Sequence, residues 1–250
     1  MERIYSRPRS LKTTPFHYCP GCGHSVIHRL IAEVIDEMGL RDKVIGVPPA
    51  GCSVFAYFYL DFDMIEAAHG RGAAVATGMK RAYPEAVIFT YQGDGDLAAI
   101  GTAETIHAAN RGEKITTIYV NNAIYGMTGG QMAPTTLASQ KTTTSPYGRD
   151  VNTDGYPIKM SEMLAMVGGS AYIERTAVNS PASIRRTKKA IQKAFQVQLD
   201  GIGFALVEIL AACPVNWNMS PLEAWQWIDK ELAKTFPLGV IKDITKRDAN

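Results

Sequence analysis

Apolar runs that end in polar residues alternate with helix-like segments along the chain. A β-rich run at residues 87–91, a helix-like segment at 97–110 and a second apolar run at 115–120 have the order of a β-α-β unit. Further strands are predicted at 44–47, 171–175 and 204–209, and further helices at 26–38, within 63–83, and at 161–167, 180–199 and 221–235. The pattern predicts one α/β domain over residues 1–250, with a mostly parallel sheet and helices on both faces.

Three segments lack this periodicity. Residues 1–16 are polar, basic and broken by prolines, so we expect an extended N-terminal arm that lies on a partner or is mobile. Residues 129–158 contain few apolar side chains, and we expect an ordered loop near the active site or a subunit interface, with a linker between two domains as the alternative. The charged tail at 242–250 is expected to be frayed.

Composition excludes several classes of protein. A 46% share of hydrophobic residues and a net charge of +2 are ordinary for a globular protein and give no electrostatic case for nucleic-acid binding. No apolar run approaches the roughly 20 residues of a membrane span, and the N-terminus lacks an apolar signal core, so a cytoplasmic protein is expected. In that compartment, the four cysteines indicate metal or redox chemistry before disulfides.

The ends of the two strands in the β-α-β unit carry the strongest chemical signal. The first ends in Gly93-Asp94-Gly95-Asp96 and the second in Asn121-Asn122. Glycines allow the backbone to approach a ligand closely, and the start of the following helix offers N–H groups to an anion. A bare Asp94 carboxylate would repel a phosphate unless a divalent cation lay between them, and Mg²⁺ prefers oxygen ligands. The pattern therefore predicts a diphosphate held through Mg²⁺ by Asp94 and Asn122.

A dinucleotide-binding turn is the alternative interpretation of this stretch. Residues 93–98 fit G-x-G-x-x-A. That fingerprint also requires an acidic residue at the end of the next strand, where this chain has two asparagines.

All four cysteines fall at predicted loop positions. Cys19 and Cys22 form a C-x-x-C pair before a helix for which Ser25 is the candidate N-cap, while Cys52 and Cys213 follow strands. The pair alone fits a thioredoxin-like redox site, which would need a preceding strand. Together the four thiols also fit structural zinc or an iron–sulfur cluster, and spacing does not separate these two.

A family resemblance narrows these alternatives. The GDG motif followed by NN resembles the thiamine-diphosphate motif of thiamine-diphosphate-dependent enzymes, which implies Asp94, Asn122 and the backbone oxygen of Ile124 as Mg²⁺ ligands. The longer string NNAIYGMTGGQMAPTT looks like the β subunit of 2-oxoacid:ferredoxin oxidoreductases, most like the 2-ketoisovalerate or 2-oxoglutarate members. That resemblance implies a proximal [4Fe–4S] cluster, held by loop residues Cys19, Cys22, Cys52 and Cys213.

The resemblance also implies a set of pocket residues. Those expected to bind thiamine diphosphate are Gly51, Cys52, Ser53, His69, Gly70, Arg71, Gly93, Asp94, Gly95, Asp96, Asn122, Tyr125, Gly126, Met127 and Thr128. Met127 and Thr128 are expected in catalytic roles, and Gln131 is a further polar candidate; the alternative for Thr128 and Gln131 is a solvated loop position. For His69 the alternative is a hydrogen bond at the entry of a helix.

The implied activity is the oxidative decarboxylation of a 2-oxoacid with coenzyme A, giving acyl-CoA, CO₂ and reduced ferredoxin. The chain has room only for the half that binds the diphosphate. The pyrimidine-binding half and the activating glutamate are therefore expected from an α subunit, and a ferredoxin or ferredoxin-like subunit is expected to accept the electrons.

Substrate preference is expected to follow the residues after the third cysteine. Many relatives carry a basic residue there, but residues 53–57 are Ser-Val-Phe-Ala-Tyr, which favours 2-oxoisovalerate over 2-oxoglutarate. A non-oxidative thiamine-diphosphate decarboxylase subunit and a non-enzymatic zinc-binding scaffold remain alternatives at this point.

Overall fold

A seven-stranded sheet organises residues 6–245, the part of the chain described by the computed structural model. The strands are β1 (Val44–Val47), β2 (Asp63–Met64), β3 (Val87–Gly93), β4 (Thr116–Asn121), β5 (Ser170–Ala177), β6 (Phe204–Leu210) and β7 (Gly239–Asp243). Their spatial order is β2-β1-β3-β4-β6-β5-β7, and every neighbouring pair is parallel except β5 and β7. The predicted fold class, a mostly parallel α/β sheet, is confirmed.

Helices cover both faces of this sheet. They are α1 (His24–Glu37), α2 (Ala56–Tyr59), α3 (Gly72–Ala82), α4 (Thr102–Asn110), α5 (Val151–Asp154), α6 (Met160–Ala165), α7 (Pro181–Leu199), α8 (Pro214–Trp217), α9 (Pro221–Trp227) and α10 (Ala233–Thr235). Side chains alternate between the faces along β3: Phe89 packs in the core beneath α1 and α7, whereas Ile88 packs in the core beneath α3, α4 and α6.

A third, smaller core supports one end of the sheet. Ile228 and Phe236 pack there against Ala123 and Ile124, which follow β4. Trp225 and Trp227 lie partly buried against the same cluster. The segment that follows β4 therefore packs against the C-terminal helices.

Three helix predictions need correction. One is the helix expected at 221–235, which contains a π-helical turn, Ile228–Leu232, between α9 and α10. The helix expected at 97–110 is divided into a π-helical turn, Asp96–Ile100, and α4, because the Gly101 N–H bonds to the Asp96 carbonyl at 2.8 Å. Ser25 is not an N-cap, since α1 begins at His24, two residues before the predicted start, and Gly23 occupies the cap position. Ser25 instead donates to the Cys22 carbonyl at 3.4 Å.

The arm and the tail are both more ordered than expected over their described residues. Ser10 is buried and donates its hydroxyl to Asp36 at 2.6 Å, and Lys12 N–H bonds to the Tyr59 carbonyl at 2.7 Å. At the other end, β7 pairs antiparallel with β5, so residues 242 and 243 are not frayed. Residues 1–5 and 246–250 lie outside the described residues.

No helix within residues 6–245 combines the length and the apolar character needed to cross a membrane.

Candidate functional site

The GDG and NN motifs lie on neighbouring strand ends, as predicted. Strands β3 and β4 are parallel neighbours, and Gly93 pairs with Val120 at their carboxyl ends. A cavity of about 180 Å³ opens beyond these ends. Its lining comprises His24, Ala50, Gly51, Cys52, Ser53, His69, Gly93, Asp94, Gly95, Asp96, Asn122, Ile124, Tyr125, Gly126, Met127 and Thr128. The structure thus brings Asp94, Asn122 and Ile124, the three expected Mg²⁺ ligands, to one cavity.

Asp94 is a buried carboxylate without a cationic partner among residues 6–245. Its oxygens accept hydrogen bonds from the Thr135 hydroxyl at 2.6 Å and from the Gly95 N–H at 2.8 Å. Burial outweighs these bonds and raises the pKa of Asp94 to about 6. A divalent cation in the cavity would supply the missing positive charge.

The glycines of the GDG motif have different roles. A Cβ on Gly93 would meet no atom within 4 Å, so this position leaves free space beside the cavity. A Cβ on Gly95 would collide with the ring of Tyr125. Gly95 therefore allows Tyr125 to lie across the loop, and Gly93 leaves open space beside its own backbone.

The two asparagines after β4 also divide their tasks. Asn121 is buried; it donates to Glu208 at 2.7 Å and accepts from the Ala123 N–H at 3.2 Å. Asn122 lines the cavity, and its carbonyl accepts from the Trp217 indole at 3.0 Å. Ala123 adopts φ +56°, a left-handed conformation that is costly for alanine. This strained turn is held by contacts on both sides and presents Asn122 to the cavity.

Asp96 organises the neighbouring loop. One oxygen accepts from His69 Nδ1 and from the Gly70 N–H, both at 2.6 Å, and the other accepts from Gln92 at 2.6 Å. His69 therefore makes the helix-entry hydrogen bond and also lines the cavity. Gly70 and Arg71 are not brought to the cavity lining: Gly70 bonds to Asp96, and the Arg71 guanidinium pairs with Glu104.

Met127 and Thr128 lie at the mouth of the cavity, and both are exposed. The Thr128 hydroxyl donates to Gln131 Oε1, and Gln131 Nε2 donates back to the Thr128 carbonyl at 2.8 Å. The two predicted catalytic positions are thus near the site, with the hydroxyl of Thr128 held by Gln131.

The four cysteines line a second cavity, of about 280 Å³. All four are free thiols. Cys52 Sγ and Cys213 Sγ lie near each other, because they would be 3.5 and 3.4 Å from the same Cβ placed on Gly126. Burial, together with a smaller contribution from the neighbouring thiols, raises the pKa of Cys22 to about 12 and that of Cys52 to about 11. Metal binding would offset this effect, since metals bind the thiolate form.

The two cavities are contiguous. Five residues line both of them: His24, Cys52, Asn122, Gly126 and Met127. Within residues 6–245, no group of three or more His, Cys, Asp or Glu side chains is arranged to hold a metal ion. The four thiols line a cavity beside the Asp94 cavity.

Sequence reasoning missed several residues of the site. His24 lines both cavities, is buried, and bonds through Nδ1 to the Tyr91 hydroxyl at 2.5 Å. Thr135 bonds to Asp94, and Trp217 bonds to the backbone of Asn122. The histidine of the C-P-G-C-G-H string was a visible signal, whereas Thr135 and Trp217 had none because their contacts join distant segments.

Comparison with known proteins places the chain in a family. Residues 50–209 match the family described as thiamine pyrophosphate enzyme, C-terminal TPP binding domain. The ketoisovalerate oxidoreductase subunit VorA of Methanothermobacter thermautotrophicus is 47% identical over 243 residues, covering 97% of this chain and 51% of the relative. The 2-oxoglutarate synthase subunit KorB of Archaeoglobus fulgidus is 38% identical over 223 residues, covering 89% of this chain and 79% of the relative. The chain spans about half the length of the VorA relatives it matches.

A solved structure supports the fold. The 2-oxoglutarate:ferredoxin oxidoreductase of Magnetococcus marinus superposes with a TM-score of 0.79, covering 98% of this chain and 87% of the other, at 24% identity. Because a family model matches residues 50–209 and two subunit relatives match most of the chain, this chain belongs to the thiamine-pyrophosphate-binding subunits of the 2-oxoacid:ferredoxin oxidoreductases.

Proposed function

We propose that this chain is the β subunit of an enzyme that oxidatively decarboxylates a 2-oxoacid with coenzyme A and passes the electrons to ferredoxin. The observation that carries the proposal is the contiguity of two cavities, one with a buried carboxylate at two strand ends and one with four free thiols. Thiamine diphosphate, when bound, supplies the electron sink for decarboxylation. A cluster in the adjoining thiol cavity would receive the electrons from that oxidation.

Asp94, Asn122 and the Ile124 carbonyl are proposed to hold the Mg²⁺ that carries the diphosphate. Asp94 is suited to this role because it has the charge and no cationic partner among the described residues. Mg²⁺ is commonly bound by one or two carboxylates together with phosphate oxygens and water. His69, which bonds to Asp96 and lines the same cavity, would add a polar contact.

Cys19, Cys22, Cys52 and Cys213 are proposed to hold a [4Fe–4S] cluster. Such a cluster uses four thiolates, each bound to a different iron, so the sulfurs surround a volume. A structural zinc ion would instead require its ligands to converge within about 2.3 Å of one point. The four thiols line one cavity, which supports the proposed cluster.

Within residues 6–245, no glutamate lines the Asp94 cavity, which supports a contribution from partner subunits. An α subunit is proposed to provide the pyrimidine-binding half and the activating glutamate. A ferredoxin, or a ferredoxin-like subunit, is proposed to receive the electrons. The names of the relatives fit this proposal, since both are given as subunits.

The proposed substrate is 2-oxoisovalerate, with 2-oxoglutarate as the alternative. The residues after Cys52 include no base to pair with a second carboxylate, and identity is higher to the ketoisovalerate relative than to the 2-oxoglutarate relative. Ser53, which lines the cavity, turns its hydroxyl to the Ala50 carbonyl at 3.3 Å.

An anaerobic assay of the complete complex tests both activity and substrate. Reduction of a viologen dye is measured with coenzyme A and either 2-oxoisovalerate or 2-oxoglutarate, and kcat/KM is expected to be higher for the branched acid. A Cys213→Ser variant is the matched control: it should bind thiamine diphosphate but not reduce the dye. Preference for the dicarboxylate would overturn the substrate assignment, and decarboxylation without dye reduction by the wild type would point to a non-oxidative enzyme.

A further inference from the structure

Arg149 is a buried cation in the middle of the long loop after the NN motif. Its exposed fraction is 6%, and no carboxylate pairs with it among residues 6–245. The guanidinium instead donates to six backbone carbonyls, those of Ala133 (3.3 Å), Pro134 (3.0 Å), Thr136 (2.7 Å), Asp154 (3.1 Å), Gly155 (2.8 Å) and Tyr156 (3.1 Å). Its five N–H groups therefore clasp two separate arms of the loop.

The backbone of Arg149 is also fixed. Its N–H bonds to the Gln140 carbonyl at 3.0 Å, and its carbonyl accepts from the Ser139 N–H at 2.9 Å. The side chain thus extends from an anchored base. Apart from the single turn of α5, residues 133–156 have no helix or strand to order them, so the guanidinium replaces the missing regular hydrogen bonds.

The first of the two clasped arms contacts Asp94. Thr135 lies between two residues whose carbonyls bind Arg149, and its hydroxyl donates to Asp94 Oδ2 at 2.6 Å. The next residue, Thr136, donates to the carbonyl of Ala123 at 2.7 Å, within the strained turn that presents Asn122. One arm therefore contacts the GDG motif and the residue that follows the NN motif.

We propose that Arg149 is a positioning residue for the metal–diphosphate site, acting through Thr135 on Asp94. By clasping the loop on both sides of Thr135, it holds the hydroxyl on one carboxylate oxygen, so that the carboxylate keeps one orientation toward the cavity. Arg149 does not line the Asp94 cavity, so its effect is indirect. The inference rests on the proposed role of Asp94 as a Mg²⁺ ligand.

A double-mutant cycle on the complete complex tests this coupling. Binding of thiamine diphosphate is measured by equilibrium dialysis over a range of Mg²⁺ concentrations for Arg149→Met, Thr135→Val and the double variant. Each single change is expected to raise the Mg²⁺ concentration needed for half-saturation by about tenfold, the loss of one hydrogen bond to a charged group. The double variant should be no weaker than the weaker single variant, because both changes remove the same contact.

Matched variants separate positioning from general stability. Thr135→Ser keeps the hydroxyl and should restore most of the Mg²⁺ affinity. Arg81→Met removes an exposed arginine that pairs with Glu113 and should leave the Mg²⁺ dependence unchanged. Hydrogen exchange of residues 133–156 should rise in Arg149→Met but not in Thr135→Val.

Three results would overturn the inference. The first is an unchanged Mg²⁺ dependence of cofactor binding in Arg149→Met although hydrogen exchange of residues 133–156 rises. The second is additive effects of the two single changes in the double variant, and the third is an unchanged Mg²⁺ dependence in Thr135→Val. The last measurement stands even if Arg149→Met does not fold. A wild type that binds thiamine diphosphate without any divalent cation would show a different failure, that of the proposed Mg²⁺ site itself.

Discussion

At the scale of single residues, the site depends on Asp94, whose charged form is disfavoured by burial. Asp94 is buried with neutral hydrogen-bond donors, and its pKa is raised to about 6, chiefly by burial. A protein gains nothing in stability from such a group without a cation. A bound cation would offset the free-energy cost of burying this carboxylate.

The cost of Asp94 leads to a prediction on stability. In the absence of metal and cofactor, a carboxyl group with a raised pKa destabilises the folded chain as pH rises from its unfolded pKa of 3.8 through about 6. Asp94→Asn should therefore raise the free energy of unfolding at pH 8 by on the order of 2 kcal/mol. The gain should disappear near pH 4.

Denaturant unfolding of the metal-free chain at the two pH values measures this effect. The same variant should lose Mg²⁺-dependent binding of thiamine diphosphate. If Asp94→Asn were less stable than the wild type at pH 8, the carboxylate would be stabilising, and the argument from burial would be wrong.

The residues of the site differ in how far sequence could reveal them. Asp94 and Asn122 were predictable because both follow apolar runs, and parallel strands end at one edge. Thr135 was not, since its bond to Asp94 joins residues 41 positions apart across an irregular loop. Arg71 follows His69 and Gly70 in the sequence, but it does not line the cavity, and its side chain pairs with Glu104 on α4. The sequence could not show this pairing, because it joins distant segments.

At the scale of elements, the break between the π-helical turn and α4 has a packing cause. Gly101 lies against the backbone of Gly70, and a Cβ on Gly101 would be 2.7 Å from the Gly70 carbonyl oxygen. This close approach places the His69 loop beside Asp96. Helical periodicity predicted the segment but not the interruption, which depends on a contact with another loop. π-Helical turns occur frequently at functional sites.

A pair of glycine substitutions tests this explanation. Gly101→Ala is expected to lower the free energy of unfolding by about 1–3 kcal/mol, because the new methyl group forces the two loops apart. Gly78→Ala is the control: Gly78 is exposed in α3 with no atom within 4 Å of an added Cβ, so alanine should stabilise by roughly 0.5–1 kcal/mol.

Urea unfolding of both variants decides the matter. If Gly101→Ala were as stable as the wild type, the close contact between Gly70 and Gly101 would not constrain the turn.

The other elements that were missed are short or only partly apolar. Strand β2 has two residues, and β7 is an edge strand whose residues are only partly buried, so neither carries a clear alternation of polar and apolar positions. The buried strands β3, β4 and β6 were predicted closely because nearly all their residues are buried. The central strands were therefore predictable from the sequence because they are buried on both faces.

At the scale of the whole molecule, the fold brings separate parts of the chain to one edge of the sheet. The loops that carry Cys19 and Cys22, Cys52, and Cys213 meet beside the loop after β4. Five shared lining residues join the thiol cavity to the Asp94 cavity. Because parallel strands place their carboxyl ends together, Cys52 after β1 and Cys213 after β6 reach the same edge of the sheet. The loop that carries Cys19 and Cys22, which precedes α1, joins them there.

The central claim is that this one chain holds both thiamine diphosphate and an iron–sulfur cluster in adjoining cavities. Its most direct test is the content of thiamine diphosphate, iron and sulfide in the complete complex, purified without oxygen, for the wild type, Asp94→Asn and Cys22→Ser. We expect Asp94→Asn to lose thiamine diphosphate and keep its iron, and Cys22→Ser to lose about four iron atoms per copy of this chain and keep thiamine diphosphate. Iron content equal to that of the wild type in Cys22→Ser, or zinc in its place, would contradict the account.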